Sequence, residues 1–144
     1  MEDWDVFVVD EVLAWIRALE ASDRDRVAQA IDVLAEHGPG LGRPLVDSIR
    51  GSSVSNLKEL RVGTVRILFA FDPWRACILL VAGDKTDRWR AWYREAIPVA
   101  EQRYEAYLVE RDAELGEEGQ DRFGYVPGAG RSVRSSPSRV HQGL

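Results

Sequence analysis

The sequence predicts an α+β fold with about four strands, and three features of its 144 residues indicate it. Apolar residues recur at helical spacing over residues 11–19 and 22–37. Three apolar runs of strand length follow, over residues 56–62, 65–71 and 76–82, and turn-forming residues separate them. Helical spacing returns after residue 88. With a short strand at the N-terminus, these segments make one domain in which N-terminal and C-terminal helices flank a sheet.

The N-terminal elements are a strand and two helices. Residues 4–9 (WDVFVV) are predicted to form the strand, and the apolar period changes to a helical one from Glu11. Ser22 is predicted to cap the second helix, because SDRD resembles an acidic capping box. Gly38-Pro39 ends that helix. The side chains expected to face the core are Val12, Trp15, Ile16, Leu19, Val27, Ile31, Leu34 and Ala35.

Residues 57–71 (LKELRVGTVRILFAF) predict a β-hairpin. Gly63-Thr64 suits a type II′ turn, since that turn needs a positive φ at its first central position. In this register Arg61 lies opposite Arg66, and side chains alternate between two faces. The core face is expected to carry Leu60, Val62, Val65, Ile67, Phe69 and Phe71. The other face is expected to carry Glu59, Arg61, Arg66, Leu68 and Ala70.

Two positive charges directly opposite each other destabilise a strand pair by a few tenths to ~1 kcal/mol. Two explanations are open for Arg61 and Arg66. In one, Glu59 neutralises them and the face is solvated. In the other, the pair serves to bind an anion such as a phosphate.

The last helical segment begins near Arg88, and Pro98 predicts a break in it, because proline disrupts a helix interior but suits a first turn. A further helix is expected to about Asp112. Domain 1–112 is therefore predicted to be followed by a disordered tail, 113–144, which is rich in Gly, Ser, Pro and Arg and lacks apolar periodicity.

Composition excludes several classes of protein. No apolar run approaches the ~20 residues of a membrane helix. The acidic N-terminus is unlike a secretory signal, and the single Cys77 is expected to be buried, so a cytoplasmic location is predicted. The net charge of −5 is unevenly distributed: residues 1–49 carry −7, residues 50–94 carry +5, and residues 95–144 carry −3. The hairpin segment therefore has the local charge that an anionic partner needs.

Histidine and metal chemistry find little support in the sequence. His37 closes a helix and His141 lies in the tail, so they are not expected to converge. No Cys/His cluster has metal-ligand spacing. Asp72, Asp84 and Asp87 are at turns, where aspartate is common for backbone reasons. We therefore expect no metal site and no cofactor.

A cationic set remains as the candidate for chemistry. Arginine offers planar, paired donors that match phosphate oxygens. A lysine that follows a strand end can take part in proton transfer if it is partly desolvated. RWRAWYREA interleaves Trp89, Trp92 and Tyr93 with arginines, and nucleic-acid bases stack on such rings. Packing of at least one of these tryptophans into the core is the competing explanation. The set comprises Arg61, Arg66, Lys85, Arg88, Arg90 and Arg94.

The ordered motifs LGRP, NLKELR, VRILFAF, GDK and WYREAIPVAE resemble the HigB-like branch of the RelE superfamily of bacterial toxins, including its phage-associated members. The resemblance covers about residues 4–110. It implies helices packed on a curved antiparallel sheet. It also implies a metal-independent endoribonuclease that cuts mRNA, typically on the ribosome, and neutralisation by a small antitoxin, often of helix-turn-helix type.

The resemblance also implies where activity lies. The family's strand arginines and the basic and Tyr positions after the last strand match Arg61, Arg66, Lys85 and Tyr93, which are the expected catalytic residues. The residues expected to contact substrate are Lys58, Glu59, Arg88, Arg90 and Trp92. Glu59 is either an alternative base or the group that holds an arginine in place. The acidic net charge and the long tail depart from the family pattern. A non-catalytic module that binds RNA or antitoxin, and a ParE-like gyrase poison, are the alternatives.

Overall fold

The computed structural model describes residues 3–84, 89–120 and 138–139. Its elements are three helices, one 3₁₀ turn and six strands. The helices are α1 (Asp10–Arg17), α2 (Ala21–His37) and α3 (Trp89–Gln120), and the 3₁₀ turn is Gly38–Gly40. The strands are β1 (Asp5–Val8), β2 (Val46–Ser48), β3 (Lys58–Val62), β4 (Val65–Phe71), β5 (Ala76–Asp84) and β6 (Ser138–Arg139). This α+β architecture confirms the predicted fold class.

The sheet is mixed, which corrects the expectation of an antiparallel one. Its strand order is β2-β3-β4-β5-β1-β6, and β1 runs parallel to β5 while the other neighbours are antiparallel. A parallel pair needs a long connection, and here everything from α1 through β4 lies between β1 and β5 along the chain. The count of six exceeds the predicted four, because β2 and β6 have only three and two residues and no apolar pattern of their own.

Both faces of the sheet are covered. Leu60, Ile67 and Phe69 lie with the buried side chains of α1 and α2, including Val12, Ile16, Val27, Ile31, Leu34 and Ala35. Leu68, Ala70, Ile78 and Leu80 form a second core with Ala96 and Ala100 of α3. The predicted division of the hairpin into two faces is confirmed. However, the second face is packed under a helix along most of its length rather than left to solvent.

Two helix boundaries differ from prediction. Ser22 does not cap α2: that helix begins at Ala21 after Glu20, and no side chain caps it. Pro98 does not break the last helix, which runs without interruption from Trp89 to Gln120. Pro98 is exposed, so the carbonyl that it leaves without an amide partner can face water. Ala96 and Ala100 on either side of it are buried against the sheet and hold the helix axis in place.

The C-terminal part of α3 is longer than predicted. It continues past Asp112, and its contacts with the domain reach at least Arg111, whose guanidinium lies 5.9 Å from the ring centre of Phe7. Arg111 also donates to Glu114 at 3.0 Å. Most of the predicted tail, residues 121–137 and 140–144, lies outside the described residues. Within the described part of the chain, no helix is long and apolar enough to cross a membrane.

Candidate functional site

The β3–β4 hairpin has the predicted register. Arg61 pairs with Arg66, with Val62 opposite Val65 at the turn. Gly63 has φ +61°, whereas Thr64 does not have a positive φ, as a type II′ turn requires. The two arginines therefore lie on the same face of the sheet, beside the start of α3.

Each arginine of this pair has a carboxylate partner on the neighbouring strand. Arg66 Nε lies 3.5 Å from Glu59 Oε1, and Arg61 Nη1 lies 3.8 Å from Asp47 Oδ2. Asp47 and Glu59 face each other across β2 and β3, and both lie diagonally to the arginine that they meet. The repulsion between like charges is thus offset within the sheet. Glu59 contacts Arg66, as expected for one of the two roles that the sequence analysis left open for it.

Arg66 is the more enclosed of the two arginines. It is 6% exposed, and its Nη1 donates to the carbonyls of Gly63 at 2.6 Å and Val65 at 2.9 Å. These bonds tie the guanidinium to the hairpin turn. The Arg61 side chain is 35% exposed and offers more of its guanidinium to solvent. A ligand approaching this face therefore meets Arg61 before Arg66.

Tyr93 completes the cluster from the first turns of α3. Its hydroxyl donates to Glu59 Oε1 at 2.5 Å, so the same carboxylate oxygen meets both Tyr93 and Arg66. Partial burial and the bond to Glu59 raise the pKa of Tyr93 to about 12. The phenol is therefore neutral at physiological pH and acts as a hydrogen-bond donor. It can supply a proton but is poorly suited to accept one.

Trp92 packs the first turns of α3 against the sheet. A Cβ added to Gly83 would lie 2.2 Å from the indole Nε1, so the ring occupies the space that a side chain would need. Gly83 pairs with Arg66 on the next strand, and Trp92 packs edge-to-face with Tyr93 at 5.1 Å between ring centres. The packing of a tryptophan from this segment is confirmed. The contact fixes the helix turn that carries Tyr93.

The remaining predicted site residues do not all join this cluster. Lys58 lies on the opposite face of β3, because it alternates with Glu59 along a regular strand. Arg90 is exposed at the start of α3. Lys85 and Arg88 lie outside the described residues, so their expected roles stay predictions. Among residues 3–84 and 89–120, no group of three His, Cys, Asp or Glu side chains is arranged to hold a metal ion.

Sequence reasoning missed Asp47 and Arg43. Asp47 lies in β2, a three-residue strand without an apolar alternation that would reveal it. Arg43 Nε lies 3.2 Å from Asp47 Oδ1, so two arginines meet this carboxylate. The only available signal was an acidic residue in a segment that precedes a basic hairpin. The pairing of β2 with β3 is what brings Asp47 to Arg61.

Comparison with known proteins places the chain in a family. Residues 14–105 match the family model described as phage derived protein Gp49-like (DUF891). Two Mycobacterium tuberculosis H37Rv proteins, whose names assign them as toxins, are similar to it. HigB2 is 47% identical over 107 residues, or 71% of this chain and 53% of the relative. HigB3 is 49% identical over 106 residues, or 72% of this chain and 93% of the relative.

The chain thus spans about half the length of the first of these relatives and nearly all of the second. Among solved structures, the crystal structure of the archaeal RelE-RelB complex from Pyrococcus horikoshii OT3 matches with a TM-score of 0.50 at 17% identity. The match covers 58% of this chain and 97% of the other, and at that identity it supports the fold alone. The family-model match and the two relatives show that the chain belongs to the Gp49-like family and is a homologue of HigB2 and HigB3.

Proposed function

We propose that this protein is the toxin of a type II toxin–antitoxin system and acts as an endoribonuclease on mRNA without a metal ion. The observation that carries the proposal is the convergence of Arg61, Arg66, Glu59 and Tyr93 on one face of the sheet. The site would act in the cytoplasm on mRNA held by the ribosome, and a small helix-turn-helix antitoxin would neutralise it. The toxin names of HigB2 and HigB3, and the RelE-RelB complex from Pyrococcus horikoshii, support a toxin with a small protein partner.

The reaction is transesterification within the RNA. The 2′-oxygen attacks the adjacent phosphorus as its proton leaves to a base, and the bond from phosphorus to the 5′-oxygen breaks. A proton then reaches that leaving oxygen, and the product ends in a 2′,3′-cyclic phosphate. Negative charge develops on the phosphate oxygens, and preorganised donors that stabilise such charge are usually the largest contribution to catalysis.

The described residues suggest roles for this reaction. Arg61 is exposed enough to contact a phosphate, and Arg66 lies beside it with a guanidinium fixed by Glu59 and the turn. Tyr93 is protonated at neutral pH, so it fits the donor that orients or protonates the leaving oxygen. Glu59 either accepts the 2′-OH proton or maintains Arg66. Lys85 is the other candidate base, and Arg88, Arg90 and Trp92 would add contacts to RNA. Lys58 lies on the opposite face of β3 and would not reach RNA bound at this cluster.

Arg66→Ala is expected to reduce RNA cleavage by roughly 10²–10³, the scale for removing one preorganised donor to developing charge. Arg66→Lys should restore activity only in part, because an ammonium cannot reproduce the planar fork of guanidinium donors. Cleavage should persist in EDTA. The measurement is the rate of cleavage of a defined mRNA, with and without ribosomes, together with mapping of the new ends.

Arg50→Gln is the matched control. Arg50 is exposed and precedes β3, at the end of the hairpin away from the Gly63 turn, so its loss removes one charge without touching the cluster. An RNA with 2′-deoxyribose at the cut site should bind but resist cleavage. Cleavage of that RNA at the normal rate, or full inhibition by EDTA in the assay without ribosomes, would overturn the proposed reaction.

A non-catalytic module that binds RNA or antitoxin is the second candidate. The enclosure of Arg66 favours it, because the residue is 6% exposed and its Nη1 is already bonded to the carbonyls of Gly63 and Val65. This candidate predicts wild-type protein that binds RNA or antitoxin without cutting RNA under any condition. Growth arrest with intact mRNA and inhibited supercoiling would instead indicate a gyrase poison.

A further inference from the structure

Asp47 occupies the same position relative to Arg61 as Glu59 does relative to Arg66. Asp47 of β2 lies directly opposite Glu59 of β3, and each carboxylate meets the arginine on the next strand. The face therefore carries a row of two acids beside a row of two arginines. The Glu59–Arg66 contact belongs to the candidate site. The equivalent Asp47–Arg61 contact therefore indicates a role for Asp47 in the same site.

The orientation of Asp47 is set by two donors on one of its oxygens. Its Oδ1 accepts a hydrogen bond from the Ser48 amide at 2.9 Å and lies 3.2 Å from Arg43 Nε. The other oxygen, Oδ2, is thereby directed toward Arg61. The Ser48 amide, followed by Arg43, lowers the pKa of Asp47, so the carboxylate is charged at neutral pH.

Arg61 receives its position from β2 in a second way. Its backbone amide donates to the Leu45 carbonyl at 2.8 Å, just before β2 begins. Both the main chain and the guanidinium of Arg61 thus depend on the segment that contains Asp47. Part of the guanidinium stays exposed, so the contact with Asp47 leaves it able to meet a ligand.

We propose that Asp47 is a positioning residue that aims the Arg61 guanidinium at the phosphate of the RNA, an inference that rests on the proposed nuclease function. Asp47 itself does not touch RNA. Its negative charge opposes RNA binding, and its benefit lies in the geometry of Arg61. Neutralising Asp47 therefore slows cleavage without weakening RNA binding, a combination that the change in charge alone does not produce.

The test compares Asp47→Asn with Asp32→Asn, since each variant removes one negative charge. Asp32 is exposed on α2, which packs on the other face of the sheet. For Asp47→Asn we expect KM for a single-stranded RNA to stay the same or fall, while kcat falls by about 10- to 100-fold, the scale for misplacing a catalytic group. Asp32→Asn is expected to leave kcat unchanged.

A double variant identifies the residue through which Asp47 acts. Adding Asp47→Asn to Arg61→Ala should slow cleavage no further, because the group that it positions is already absent. Additive losses, or a wild-type kcat in Asp47→Asn, overturn the inference. If Asp47→Asn does not fold, Arg43→Gln replaces it, because that change removes one of the donors that orient Asp47; an unchanged kcat there also overturns the inference.

Failure of the proposed function gives a different result. In that case the wild type and Arg50→Gln do not cleave RNA at all, so no variant has a kcat to compare. If the wild type cleaves and Arg66→Ala does not, the nuclease function stands, and the Asp47 result then bears on the positioning role alone.

Discussion

At the residue scale, the site is a set of charges that the protein has already paired internally. Arg66 and Glu59 are both buried, at 6% and 7% exposure, and Tyr93 bonds to the same carboxylate. Removing one partner of such a buried group leaves the other unsatisfied, which costs more than the bond itself contributes. Arg66→Lys, which keeps a positive charge beside Glu59, is therefore the necessary companion to Arg66→Ala.

The pKa of Tyr93 gives a prediction for stability at high pH. The pKa of Tyr93 is about 12 in the folded protein, against 10.0 for a phenol in the unfolded chain. The neutral phenol therefore contributes to the stability of the folded state, and this contribution is fully present below pH 10. That contribution is lost as the pH rises toward 12, because the unfolded chain then releases the proton more readily. Tyr93→Phe should remove this part of the pH dependence, measured as the free energy of unfolding in urea from about pH 9 upward.

The comparison must be made against the wild type at each pH, since burial also raises the pKa of Tyr104 and Tyr107. Those two residues contribute equally to both proteins, and the difference between the proteins isolates Tyr93. A difference in stability that stays constant across the whole range would show that the bond to Glu59 does not distinguish the two states of the phenol.

At the element scale, α3 is held to the sheet at both ends of the β4–β5 hairpin. Near the site, Trp92 lies on Gly83. At the other end, Tyr107 donates to Asp72 at 2.6 Å and Tyr104 to the Phe71 carbonyl at 3.1 Å. Asp72 also accepts the amides of Trp74 and Ala76 in the turn that follows it, which is the backbone role expected for an aspartate at a turn.

Gly83→Ala should shift the first turns of α3, because the new methyl group would overlap the Trp92 indole. Overpacking of this kind costs about 1–3 kcal/mol, and a change in tryptophan emission should accompany it. Gly42→Ala is the control, since a Cβ there meets nothing within 4 Å. Equal stability and equal emission in the two variants would show that the ring moves aside without cost.

At the scale of the whole molecule, the basic segment forms the centre of the sheet while acidic residues dominate the helices before it. The chain carries −5 overall but +5 over residues 50–94. A local positive surface can attract RNA even when the net charge is negative, because salt screens the interaction of each charge beyond about 10 Å at physiological ionic strength.

The boundary of the domain is proposed to lie beyond the predicted residue 112. Ending the chain after residue 120 should change the melting temperature and toxicity little, since the described part of the remaining tail, residues 138–139, pairs with β1 over two residues. Ending it after residue 112 should lower the melting temperature, because Arg111 then loses Glu114. Thermal unfolding of both truncations against the full chain is the measurement. Equal melting temperatures for all three would place the boundary at 112.

The sequence determined the elements whose own residues specify them. The hairpin register follows from Gly63 and from apolar alternation, both of which act over a few residues. The opposition of Arg61 and Arg66 follows for the same reason. Tyr93 was expected at the site only because of the family resemblance.

Only the tertiary structure decided how those charges are neutralised. The role of Asp47 depends on the pairing of β2 with β3, and a three-residue strand carries too little pattern to predict its register. The continuity of α3 through Pro98 likewise depends on Ala96 and Ala100 packing on the sheet, which outweighs the local preference of proline. Local signals determine turns and strand faces, whereas contacts between distant segments determine which carboxylate meets which arginine.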